Sequence, residues 1–119
     1  MRPLFPKDYR NDVTLNNMVM SVDPTCRPEL VAMLGAAIAT SISDIPFNGP
    51  CATTQVGMVN GEFIINPSQE QWKNGDLNLT VASTAEKVIM IEAGANEIPE
   101  AKMIEAIYMA HEVNQTIIA

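Results

Sequence analysis

From Pro28 to Ile42 the chain reads Pro-Glu-Leu-Val-Ala-Met-Leu-Gly-Ala-Ala-Ile-Ala-Thr-Ser-Ile, a helical stretch with apolar side chains on every face. A helix lying at a surface keeps a polar stripe, so this one is expected to be covered on most sides. It breaks at Asp44-Ile45-Pro46-Phe47-Asn48-Gly49-Pro50, where two prolines bracket an Asn-Gly turn. The entrance of such a helix bears on chemistry. Its first N–H groups are unpaired and its dipole is positive there, which suits an anion. Here Pro28 removes one donor and Glu29 adds a negative charge. Both changes disfavour phosphate.

At 119 residues and 13.0 kDa the chain is one domain or a piece of one. An apolar fraction of 47% against 18% charged fits a folded α/β unit. The net charge of −7 argues against nucleic acid gripped along a broad face. Four of the seven basic residues, Arg2, Lys7, Arg10 and Arg27, nevertheless fall in the first quarter. The N-terminal end is therefore the one place suited to a polyanion. Cys26 and Cys51 are too few and too far apart for a disulfide scaffold or a zinc site, and each is expected as a small buried hydrophobe. No run reaches membrane-spanning length, and Met1 to Pro6 lacks the apolar core of a signal peptide. A cytoplasmic setting without a membrane partner is the expectation.

Pro3 and Pro6 make Met1 to Arg10 an irregular arm. Asp12 to Val22 reads as a strand with a bulge at Asn16-Asn17, because the apolar alternation changes parity there. The apolar helix follows. Cys51 to Val59 and Glu62 to Asn66 form a hairpin closed by Asn60-Gly61, a strong turn signal. Pro67 to Trp72 gives about one helical turn, ending at Asn74-Gly75. Asp76 opens a second hairpin: Leu77, Leu79 and Val81 alternate, and Lys87 to Glu92 is the partner strand. Pro99 and Glu100 then start a helix, with Ile104, Ile107, Tyr108, His111 and Asn114 on one face. The fold class is α/β (α+β), ordered strand, helix, hairpin, hairpin, helix. A core strand directly behind a Pro-rich arm suggests an incomplete domain.

Arg2-Pro3-Leu4-Phe5-Pro6, Ala32-Met33-Leu34-Gly35-Ala36, Ile45-Pro46-Phe47-Asn48-Gly49-Pro50 and Phe63-Ile64-Ile65-Asn66-Pro67 occur in that order. Each is weak alone; together, at these spacings, they are specific. The set resembles the first RNase PH-like core of bacterial polynucleotide phosphorylases, across essentially the whole chain including His111-Glu112. The resemblance implies an incomplete RNase PH-like core. Residues 1–67 are then the C-terminal part of its first subdomain, a ribosomal-protein-like βαβ fold, and 68–119 the start of the second. It also implies a parent phosphate-dependent 3′-to-5′ exoribonuclease, a polyribonucleotide nucleotidyltransferase active in RNA degradation. That parent forms a homotrimer around RNA, joins RNA-degradation complexes, and uses Mg²⁺ bound outside this segment.

In that family the second core does the chemistry, and its phosphate-binding Gly-Ser-Ser-Ser run aligns here with Cys26, Arg27, Pro28 and Glu29. Arg27 attracts phosphate, but Pro28 and Glu29 oppose it, so no catalytic residue is expected. Glu70 and Asp76 fall on the family's metal carboxylates, with Thr80 where its lysine stands. They read as a vestigial metal site or, more blandly, a solvated acidic loop. By the same resemblance Arg2 lies near the RNA path and is the candidate RNA contact, since guanidinium forks onto phosphate oxygens. Its bland reading is an exposed arm residue.

His111 has no Ser, Cys or Asp partner at triad-like spacing and reads as a satisfied helix histidine rather than a general base. Trp72 is expected to clip the hairpin rather than stack a base. Most of the eight methionines are core filler. Rival readings are an RNase PH or exosome-type core subunit, a self-sufficient enzyme using Glu70, Asp76 and a metal, and a stand-alone oligomerisation module pairing through strand edges.

Overall fold

A computed structural model describes residues 1–119. After a short 3₁₀ turn at Arg2–Leu4 come helix α1 (Pro28–Ser41), strands β1 (Ala52–Val59) and β2 (Glu62–Ile65), and helix α2 (Gln69–Asn74). Strands β3 (Leu77–Ser83) and β4 (Val88–Ala95) and helix α3 (Glu100–Ile118) complete the chain. The strands make one antiparallel sheet in the order β2-β1-β3-β4. This is the mixed α/β class expected.

Local chemistry explains the elements that arrive where the residues put them. Val59 pairs with Glu62 across Asn60 (φ 53°) and Gly61 (φ 79°), the two positive φ values of a type I′ hairpin turn. Ser68 caps α2: its hydroxyl accepts from the Gln71 N–H while the Gln71 side chain accepts from the Ser68 N–H. Glu100 sits in the first turn of α3 behind Pro99.

One face of the sheet carries Val56, Met58, Leu77, Leu79 and Val81, and α3 lays Ala106 and Ala110 onto them. The small alanines let the helix backbone approach the central strands closely. A second, smaller cluster joins Leu4, Ala37 and Cys51, with Met1, Phe47 and Ile89 against it. Ile89 reaches that cluster because the ladder slips at Ser83: Ala82 faces Met90 and Ser83 faces Val88, so Ile89 is the extra residue of a bulge.

Several expectations are corrected. Residues 12–22 form no strand, since a strand exists only within a ladder and no backbone neighbour pairs with this segment. Met18 and Met20 are accordingly 83% and 85% exposed rather than core. Helix α1 is apolar all round, yet only Ala36, Ala37 and Thr40 are buried, while Val31 and Ile38 are more than half exposed. It rests on β1 along one stripe, residues 16–23 flank its N-terminal half across a cavity, and much of its remaining surface stays exposed. On α3 the inward face is Met103, Ala106, Ile107, Ala110 and Asn114, and Ile104 and Tyr108 point outward. Cys51 is buried as expected, but Cys26 is exposed, in a turn where its N–H donates to the Asp23 carbonyl. The Asp23 carboxylate in turn accepts from the N–H and hydroxyl of Thr25, bonds that lower its pKa.

Candidate site at the entrance of the first helix

The N-terminus of α1 stands over the face of the sheet opposite α3. Gln55 on β1 pairs with Thr80 on β3, and both side chains point to that face, where the Gln55 amide donates to the Thr80 hydroxyl at 3.4 Å. Arg27, the last residue before α1, folds its guanidinium down onto them. One Nη donates to Gln55 Oε1 at 3.0 Å, and the other lies 3.7 Å from the Glu29 carboxylate. The guanidinium carbon sits 4.3 Å from the centre of the Trp72 ring, a cation–π stack. The Arg27 side chain is only 15% exposed. Its charge is therefore committed within the chain.

The backbone is equally occupied. Pro28 has no N–H, and the Leu30 N–H donates to the Arg27 carbonyl at 3.2 Å. Arg27 in the N-cap position contributes no capping side-chain bond, and Glu29 brings a carboxylate to the positive end of the dipole. An incoming phosphate meets a missing donor, a used donor and a like charge.

The remaining candidates are all exposed. Arg2 is exposed on the 3₁₀ turn. Glu70 is exposed in the first turn of α2, and Asp76 is exposed at the entry to β3, its N–H donating to the Met58 carbonyl. No three His, Cys, Asp or Glu side chains converge to hold an ion, and Thr80 is buried beneath Gln55. Trp72 is the platform for Arg27, and α2, which carries it, packs on β1 of the hairpin. Burial pushes the Cys51 thiol up, away from thiolate chemistry.

His111 does have a serine partner, which spacing in the sequence did not reveal. Its Nδ1 lies 3.0 Å from Ser83 Oγ. Ser83 is fully buried and also accepts from the Asn114 amide at 2.9 Å, so it is closed to any substrate. Asn114 donates a second bond to the Val81 carbonyl, and its Oδ1 accepts from the Thr54 hydroxyl at 2.7 Å. Thr54 and Ser83 occupy inward positions of their strands, the one sequence signal that α3 had to bring polar partners.

Residues 49–113 match the model of the 3′ exoribonuclease family, domain 2. The chain belongs to that family. Over 118 residues it is 74% identical to the polyribonucleotide nucleotidyltransferase of Lachnoclostridium phytofermentans, covering 99% of this chain and 17% of that protein. Similar likenesses, 54% and 53% identical over 119 residues, link it to the polyribonucleotide nucleotidyltransferases of Alkaliphilus oremlandii and Heliobacterium modesticaldum. In both, the match takes in all of this chain and 17% of the relative. The chain thus spans about one sixth of the relatives' length. The 3′ exoribonuclease family match includes all four strands and most of α3, the part of the fold with the larger core. No helix is long and apolar enough to cross a membrane.

Proposed function

We propose that this chain is a structural, RNA-lining segment of the first RNase PH-like core in a polyribonucleotide nucleotidyltransferase, a copy that supports phosphorolysis without performing it. The single observation that carries the reading is the engaged Arg27. A guanidinium stacked on Trp72 and bonded to Gln55 fills the entrance of α1, and Pro28 and Glu29 remove what an anion needs there. In the parent, RNA is the substrate and three chains assemble. Arg2 contacts the RNA path, and Mg²⁺ acts at residues outside this segment. Glu70 and Asp76 serve as a solvated acidic edge. Both are exposed, and no third His, Cys, Asp or Glu side chain joins them.

We place the subdomain boundary, expected at residue 67, at residue 48 instead. The sheet takes β1 and β2 from before that point and β3 and β4 from after it, and the family match begins at residue 49. Residues 49–119 then form one subdomain and 1–48 belong to the preceding one. The test of function is direct: the folded chain, incubated with poly(A), orthophosphate and Mg²⁺, is expected to release no nucleoside diphosphate. Release that depends on phosphate and stops on chelation would overturn the proposal in favour of a self-sufficient enzyme.

A further inference from the structure

Resting on the RNA-lining role, we infer that the outward face of the Tyr9 ring is a stacking step for an unpaired base of single-stranded RNA, with Arg2, Lys7 and Arg10 holding the adjoining phosphates. The arm that carries Tyr9 is a rigid mount despite its irregular backbone. The Leu4 N–H donates to the Met1 carbonyl, the Phe5 N–H to the Arg2 carbonyl and the Tyr9 N–H to the Pro6 carbonyl. The Leu4 carbonyl accepts from the Asn48 N–H at 2.8 Å, and the Leu4 side chain is buried beside Ala37 and Cys51. On this mount three rings make a ladder. Phe47 backs Phe5 at 5.4 Å between centroids, and Tyr9 lies on Phe5 at 6.2 Å with the planes only 18° apart.

Phe5 contacts both Phe47 and Tyr9, whereas no second ring of this chain pairs with Tyr9. Tyr9 is half-buried, and its near-parallel setting against Phe5 suits the geometry a nucleobase takes on an aromatic platform. Charge points the same way. Arg2, Lys7 and Arg10 are exposed, and none of them joins an ion pair. In a chain of net charge −7 the three cations of this arm outnumber its two exposed acids, Asp8 and Asp12. Because the mount is ordered before any ligand arrives, little freedom is lost on binding.

The test is the affinity of the folded chain for a fluorescein-labelled oligoadenylate single strand, followed by anisotropy across a salt series. Tyr9→Leu is expected to weaken binding about tenfold, the loss of one base–aromatic stack, without changing the salt slope. Tyr9→Phe is expected to stay within about twofold of the parent chain, since the π face is retained. Lys7→Gln and Arg10→Gln are expected to lower the salt slope by roughly 0.7 each. Unchanged affinity in Tyr9→Leu, an equal loss in Tyr9→Phe, or equal binding of the duplex form would overturn this stacking step while leaving the RNA-lining role intact. A parent chain that binds no strand would overturn both.

Discussion

Asn114→Leu is expected to destabilise the fold by about 3 kcal/mol or more, because it strands several polar groups in a fully buried layer. Asn114 is wholly buried and makes three bonds that tie α3 to two strands: to the Val81 carbonyl, to Ser83 Oγ and from the Thr54 hydroxyl. Leucine has a similar volume, so packing is largely kept and the loss reports the hydrogen bonds. Each orphaned buried group costs about 1–3 kcal/mol, and the Thr54 hydroxyl and Val81 carbonyl lose the partners described here. The measurement is urea unfolding of the single variants and the pair. Thr54→Val in the Asn114→Leu background is expected to recover part of the loss, since it removes one of the stranded groups. Additive losses would show that the Thr54–Asn114 bond carries no coupling.

Leu79→Ala should cost about 2–5 kcal/mol, a large share of the roughly 5–15 kcal/mol that holds a domain together. Leu79 is fully buried in β3, flanked by Val56 on β1 and Ala93 on β4, and belongs to the core that α3 covers. Truncation leaves a cavity between three strands and a helix, where little can collapse inward. The contrasting variant is Ile38→Ala on α1. Ile38 is 53% exposed, so its truncation should cost less than about 1 kcal/mol. Equal losses at the two positions would mean that α1 is covered in solution by something the chain alone does not supply.

These two variants mark the boundary between what the residues announce and what they conceal. The Asn60-Gly61 turn, the Ser68 cap and the Pro99-Glu100 start are written in adjacent residues, because each is settled by local backbone conformation and nearby hydrogen bonds. The alternation of Leu77, Leu79 and Val81 named the core face of β3 for the same reason. Residues 12–22 show the opposite case. Their alternation is strand-like, but pairing is a relation between distant segments, and none pairs with this one. The apolar coat of α1 likewise states what the helix tolerates on its surface and not what lies against it.

The candidate site was legible in part. Pro28 and Glu29 announced a helix entrance hostile to phosphate from their own chemistry. That Arg27 is clamped by Trp72 and Gln55 was hidden, because those residues lie far along the chain and meet only when β1 pairs with β3 and α2 folds beside them. The serine partner of His111 was hidden in the same way: the bulge beside Ser83 and the approach of α3 bring Nδ1 and Oγ together. The contacts of Phe5 with Phe47 and Tyr9 also depend on the arm folding back over the loop at Asn48.

The central claim, that the entrance of α1 is chemically closed to orthophosphate, is tested most directly by titrating phosphate into the folded chain and following the backbone amide resonances of Glu29 and Leu30. The account predicts no saturable shift at either amide up to millimolar phosphate, with Arg27 still packed on Trp72. Saturable shifts at both amides, with release of Arg27 from the indole, would contradict it.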